Sequence, residues 1–90
     1  MIVDDMRCYF CHTTQNLHRH HIFFGTANRK KSEQYDITVW LCANHHNMGM
    51  KCVHNNRDMD LILKQEGQRY FEQNIGNREM FMKEFGRNYL

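Results

Sequence analysis

Leu41-Cys42-Ala43-Asn44-His45-His46 is the stretch on which the architecture turns. Upstream of it, Asp36-Ile37-Thr38-Val39-Trp40-Leu41 alternates, with Ile37, Val39 and Leu41 on one face, and its β-branched content predicts a strand. Directly after that strand, Cys42-x-x-His45 presents two metal ligands on one side of a short turn, and Ala43 to Met50 has room for a short helix interrupted by Gly49. The matching half lies near the N-terminus, where Arg7-Cys8-Tyr9-Phe10-Cys11-His12 reads as a knuckle presenting two thiolates. Two such turns complete the tetrahedron that structural zinc prefers, so Cys8, Cys11, Cys42 and His45 are expected to hold one zinc ion.

A staple of this kind suits the composition. Ninety residues form one domain at the small end of what a hydrophobic core alone stabilises. The apolar fraction is 41%, but much of it is Met, Phe and Tyr rather than Val, Ile and Leu. Met1 to Arg7 has neither a basic n-region nor an apolar h-region, and no stretch approaches the roughly 18 apolar residues of a membrane span. A soluble, reducing, cytoplasmic setting is therefore expected, in which clustered Cys and His favour metal over disulfide. Cys8-x-x-Cys11-His12 also satisfies the pattern for covalent haem attachment, but that reading needs export and leaves Cys42 and His45 unused. Cys52 has no spacing partner and reads as a plain thiol.

The remaining elements follow from periodicity. Leu17 to Phe24 reads as a first strand ended by Gly25, and the polar, basic stretch Thr26 to Tyr35 as a loop with room for one helical turn. Asp58 is expected to cap a long helix with Met59, Leu63, Gly67, Phe71 and Ile75 at four-residue intervals, and Ile62 and Tyr70 broadening the stripe. Gly67 on that row permits close approach of a neighbour, and Gly76 suits the end of the helix. Asn77 caps a last helix with Glu79 in its first turn and Phe81 and Phe85 on one side. The expected fold class is α+β: a single domain, residues 1–90, with a zinc-stapled core over 1–57 and a helical extension over 58–90 packed on it.

The chemistry is concentrated in histidine. All seven lie between His12 and His54, notably in His18-Arg19-His20-His21, His45-His46 and His54-Asn55-Asn56. Several imidazoles beyond the zinc ligands must crowd together in so small a domain. Two or three around a divalent ion, with one left free as a base, is the equipment of metal-assisted phosphodiester hydrolysis. His18 is expected to be a polar strand position and His12 a contact of the knuckle. Adjacent strand residues point to opposite faces, so His20 and His21 share one centre only if the strand bends between them. Net charge is only +2, but Arg29-Lys30-Lys31, with Arg19 nearby, is suited to contacts with backbone phosphates.

The leading Cys8-x-x-Cys11, the His20-His21-Ile22 triplet and Leu41-Cys42-x-x-His45-His46 together resemble the HNH endonucleases of the ββα-metal (His-Me finger) group. His-His-Ile-Phe, Ala-Asn-Arg-Lys and Val-His-x-Asn extend the similarity to short HNH proteins of bacteriophages and prophages, over nearly the whole chain. The resemblance implies a ββα-metal core with a zinc knuckle, His21 as general base, and His20 and His46 as ligands of a catalytic divalent ion, with His54 a further ligand. It implies hydrolysis of DNA to 5′-phosphate and 3′-hydroxyl ends. Imidazole ligands suit Zn, Mn or Ni, while Mg prefers oxygen. One such centre cuts one strand, so a monomer or weak homodimer nicking duplex DNA is expected. The family's middle Asn, which orients the base, has no counterpart before Cys42; Asp36, Thr38 and Asn56 are the candidates for its role. Its absence favours the alternative of a non-catalytic zinc-binding DNA module on the same scaffold. A third reading is an adaptor presenting Phe71, Phe81 and Phe85 to a protein partner.

Overall fold

The computed structural model describes residues 1–49 and 52–90. Its elements run β1 (Leu17–His21), α1 (Thr26–Gln34), β2 (Thr38–Cys42), a five-residue π-helical turn (Asn44–Met48), α2 (Arg57–Asn74) and α3 (Arg78–Phe85). The class is α+β, with β1 and β2 forming a two-stranded antiparallel sheet. No helix among the described residues is long and apolar enough to cross a membrane.

The sheet register decides which residues share a face. His18 lies opposite Leu41 and His20 opposite Val39, whereas Arg19 lies opposite Trp40 and His21 opposite Thr38. Cross-strand partners project to the same side. One face therefore carries His18 and His20 together with the apolar Val39 and Leu41, and the other carries Arg19 and His21. Beyond the strand the ladder continues with Ile22 N–H donating to Ile37 O at 3.2 Å. The expected Ile37-Val39-Leu41 row is buried throughout, and it packs with Ile22, Phe23, Leu63, Phe71, Phe81 and Phe85 into one core.

The stretch Thr26 to Tyr35, expected to be a loop, is instead the nine-residue helix α1. Only Ser32 of it is buried, so the helix lacks the apolar stripe by which a helix is usually read. Its anchor is polar: the Ser32 hydroxyl donates to Phe23 O at 2.8 Å and accepts from Phe23 N–H at 3.1 Å. Gly25 precedes the helix at φ 93°, a left-handed value that favours glycine.

Helix α2 starts two residues earlier than expected. Its cap is Asn56, not Asp58: the Asn56 carboxamide accepts from the backbone N–H of Asp58 (3.1 Å) and Met59 (3.2 Å). Leu63, Gly67 and Phe71 are buried along the stripe, with Met59, Tyr70 and Ile75 packed at its margin, whereas Ile62 faces outward and does not broaden it. Gly67 meets the core directly: a Cβ there would fall 2.9 Å from Phe23 Cε2, 3.0 Å from Ile37 Cγ2 and 3.1 Å from Ile22 Cγ2. Asn77 caps α3 by accepting from Met80 N–H at 2.9 Å, and Phe81 and Phe85 are buried on its inner side. These aromatics close the core against Phe23, with ring centroids 5.3 and 4.5 Å from it, rather than standing free for a partner.

The short helix expected after β2 is the π-helical turn; Met50, its expected last residue, lies outside the described residues. Gly49 N–H closes the turn on Asn44 O at 3.1 Å, and a Cβ at Gly49 would meet that oxygen at 2.4 Å. Only glycine fits there, which fixes where the turn ends.

Candidate metal centres and the adjoining groove

The knuckle is built by backbone bonds: His12 N–H donates to Cys8 O and Cys8 N–H to Thr13 O, each at 2.9 Å, with His12 at φ 64°. Tyr9 N–H donates to Trp40 O at 2.9 Å, tying the knuckle to β2 beside Cys42. Cys8, Cys11, Cys42 and His45 are thereby positioned to bind a metal ion, their ligand atoms all within 4.8 Å of one another. Zinc–sulfur and zinc–nitrogen bonds of about 2.3 and 2.0 Å give tetrahedral edges of about 3.8 Å between sulfurs and about 3.5 Å between sulfur and nitrogen. The observed edges are 3.7 Å for Cys11 Sγ to Cys42 Sγ, 3.5 Å for Cys8 Sγ to His45 Nδ1 and 3.2 Å for Cys42 Sγ to His45 Nδ1. The donor set fits a tetrahedral ion closely. Burial pushes the Cys8 thiol up, but the backbone N–H groups of Cys11, Cys42 and Phe10 together outweigh it and hold Cys8 below its ordinary value. Burial, with Cys11 and Cys8 alongside, pushes Cys42 up. Cys52 is buried and belongs to neither cluster among the described residues.

A second cluster stands on the other side of the same turn. His20, His46 and His54 each offer a nitrogen within 4.8 Å of the others. His46 Nε2 and His54 Nε2 are 3.3 Å apart, the edge that two imidazoles sharing a tetrahedral ion make at about 2.0–2.1 Å each. The rings of His20 lie 5.3 and 5.5 Å from those of His46 and His54. His20 is 2% exposed and its Nε2 has no hydrogen-bond partner among the described residues. Burial, followed by neighbouring His46, His54, Lys64 and His21, depresses its pKa to about 3. It is a neutral imidazole with an unsatisfied buried nitrogen, which is costly in an apolar setting and is the chemistry of a metal ligand. Burial likewise lowers His46.

His21 does not join this cluster. β1 does not bend between His20 and His21, and the side chain of His21 lies on the opposite face, its Nε2 2.6 Å from Glu33 Oε2 on α1. Glu33 is also held by Arg19, whose guanidinium donates to it at 2.8 Å and to Asp36 at 3.4 Å. The bonds from His21 and then Arg19 hold the Glu33 carboxyl below its ordinary value. None of the three residues expected to stand in for the missing Asn contacts His21's ring nitrogens. Asp36 pairs with Arg19 and the N-terminal ammonium, the Thr38 hydroxyl has no hydrogen-bond partner among the described residues, and Asn56 caps α2.

His21 lines an open groove with Arg19, Phe24, Arg29, Lys30 and Glu33. Lys31 points elsewhere, its ammonium on the backbone carbonyl and carboxylate of Glu84. Phe24 connects the groove to the second cluster: its ring lies 6.0 Å from that of His20 and 5.2 Å from that of His54. Two contributors escaped sequence reasoning. Glu33 carried no signal while Thr26 to Tyr35 read as a loop. His18, read as a polar strand position, has its Nδ1 2.9 Å from His46 Nδ1; its two-residue spacing from His20 was the available clue. No family model, curated protein or solved structure matches the chain.

Proposed function

We propose that the chain is a metal-dependent endonuclease that hydrolyses DNA phosphodiester bonds, one strand at a time, on a ββα-metal scaffold. One observation supports this most: a buried, neutral His20 with an unsatisfied Nε2 converges with His46 and His54 next to a groove that holds His21, Arg29 and Lys30. The Cys8-Cys11-Cys42-His45 cluster takes a structural zinc, as its all-protein ligand set and edge lengths indicate. His20, His46 and His54 hold a second divalent ion, for which nitrogen ligands favour Zn, Mn or Ni over Mg. That ion supplies neutralisation of charge on the phosphate and the departing 3′ oxygen.

The chain's own residues do the rest. Arg29 and Lys30 hold the phosphate backbone without reading sequence. Phe24 lines the groove and its ring lies 5.2 Å from that of His54, so it adjoins both the groove and the histidine cluster. Glu33 accepts the Nε2 proton of His21, which leaves Nδ1 free to take a proton from water. The water oxygen bonds to phosphorus, the bond to the 3′ oxygen breaks, and that oxygen takes a proton from solvent water, giving 5′-phosphate and 3′-hydroxyl ends.

One observation favours a second reading, a zinc-stapled DNA-binding module without catalysis: His21 is on the face of β1 opposite His20, and Glu33 engages both it and Arg19. Supercoiled plasmid separates the two. After mild chelation and addition of Mn or Mg, wild type should convert plasmid to nicked circles and His21→Ala should not. Absence of nicking by folded wild type holding one zinc would overturn the nuclease in favour of the module. Full activity in His21→Ala would remove His21 as the base.

A further inference from the structure

His18 has no part in the mechanism above, yet its Nδ1 lies 2.9 Å from Nδ1 of the metal-site histidine His46. It shares a face of β1 with His20, and its ring meets that of His46 edge-on, at 83° with centroids 5.1 Å apart. The contact joins like atoms, Nδ1 to Nδ1 at 2.9 Å, while the other nitrogen of His46, Nε2, faces Nε2 of His54 at 3.3 Å. A neutral imidazole has one N–H and one lone pair. A nitrogen that gives its lone pair to a metal carries no proton, so His46 can ligate through Nε2 only as the Nδ1–H tautomer. The Nδ1 proton then has to be accepted, and the hydrogen bond at that atom goes to His18. In that arrangement His18 keeps its own proton on Nε2 and accepts at Nδ1.

We propose that His18 is a positioning residue of the three-histidine metal site: by accepting the Nδ1 proton of His46 it selects the tautomer that ligates through Nε2 and fixes the plane of that ring. The role is normally filled by a carboxylate, a backbone carbonyl or water. Here a neutral imidazole fills it, which adds no negative charge beside the ion. The inference rests on the reading of His20, His46 and His54 as a metal centre, and the experiment separates the two.

Protein loaded with one equivalent of zinc is titrated with nickel by calorimetry. Wild type should take up one nickel, and His46→Ala none. His18→Ala should keep its zinc and bind nickel about ten- to a hundredfold more weakly, the usual loss for an outer partner of a metal-bound histidine. His18→Asn, which places a carboxamide oxygen near the position of Nδ1, should recover most of the affinity. Long-range nitrogen-15 correlation spectra should show His46 as the Nδ1–H tautomer in wild type and His18→Asn, and as a mixture in His18→Ala. Unchanged nickel affinity in His18→Ala, or His18→Asn binding as weakly as His18→Ala, would overturn the proposal while leaving the metal centre intact. No nickel uptake by wild type would overturn the metal centre itself, and His18 with it. Should His18→Ala fail to fold, His18→Asn decides alone: near-wild-type affinity supports the role and loss refutes it.

Discussion

Replacing Gly67 by alanine sets two well-understood effects against each other. In an isolated helix the change is favourable, by about 1 kcal/mol in intrinsic propensity. In α2 the new methyl group enters a contact that is already closed, 2.9 Å from Phe23 Cε2, 3.0 Å from Ile37 Cγ2 and 3.1 Å from Ile22 Cγ2. None of these neighbours yields easily. Phe23 is wedged among Phe81, Phe85 and Tyr89, and the two isoleucines are fully buried with branches next to the backbone. Three neighbours would each have to give way by some tenths of an ångström, and forcing an extra methyl into a packed core typically costs about 1–3 kcal/mol. Overpacking therefore outweighs propensity, and the expected net loss is about 1 kcal/mol. For a domain of this size that lowers the melting temperature by roughly 4–8 °C. Thermal melts of the zinc-loaded proteins, followed by circular dichroism, measure it. A Gly67→Ala protein that melts at or above the wild-type temperature would refute the packing of α2 on Ile22 and Ile37 described above.

Other perturbations probe the remaining links. Cys42→Ser should abolish stoichiometric zinc binding and leave the chain largely unfolded, because the binding free energy of a structural zinc is comparable to or larger than the whole stability of a small domain; metal analysis and far-ultraviolet circular dichroism check it. Asn56→Ala removes the acceptor for two N–H groups at the start of α2 and should cost about 1 kcal/mol in denaturant titrations. Glu33→Gln tests the acid limb of stability. Because bonds from His21 and Arg19 lower the folded pKa of Glu33, its contribution is present above the ordinary glutamate pKa and is lost as pH falls through the lower folded value. Wild type should therefore lose stability over that range more steeply than Glu33→Gln, and parallel curves in urea titrations at stepped pH would count against the bond.

What the sequence disclosed depended on the range of each determinant. The Cys8-x-x-Cys11 and Cys42-x-x-His45 turns carry their geometry locally, so the four ligands could be named from spacing. The rows Ile37-Val39-Leu41 and Leu63-Gly67-Phe71 announce themselves because burial imposes the period of the element. Helix α1 was hidden because it is fastened through Ser32 hydrogen bonds rather than an apolar stripe. With α1 hidden, Glu33 had no visible route to His21. His18 depended on a non-local fact, that the turn after β2 folds back over the even-numbered residues of β1 and brings His46 beside it. The cap of α2 went to Asn56 rather than Asp58 because the backbone N–H groups of Asn55 and Asn56 both donate to Cys52 O, closing a turn that leaves Asn56 extended at the helix entrance.

The five-residue turn after β2 has a thermodynamic consequence. His45 and His46 are consecutive, yet one belongs to the thiolate cluster and the other to the histidine cluster. Whatever immobilises the backbone at one immobilises it at the other, so metal ions held at the two clusters would be linked through one short turn. Were both to hold metal, occupation of either would raise affinity at the other by the same factor. With zinc in the thiolate cluster and the proposed second ion in the histidine cluster, the thiolate-rich set would fill first, and scarcity of metal would empty the histidine set while the fold still stands.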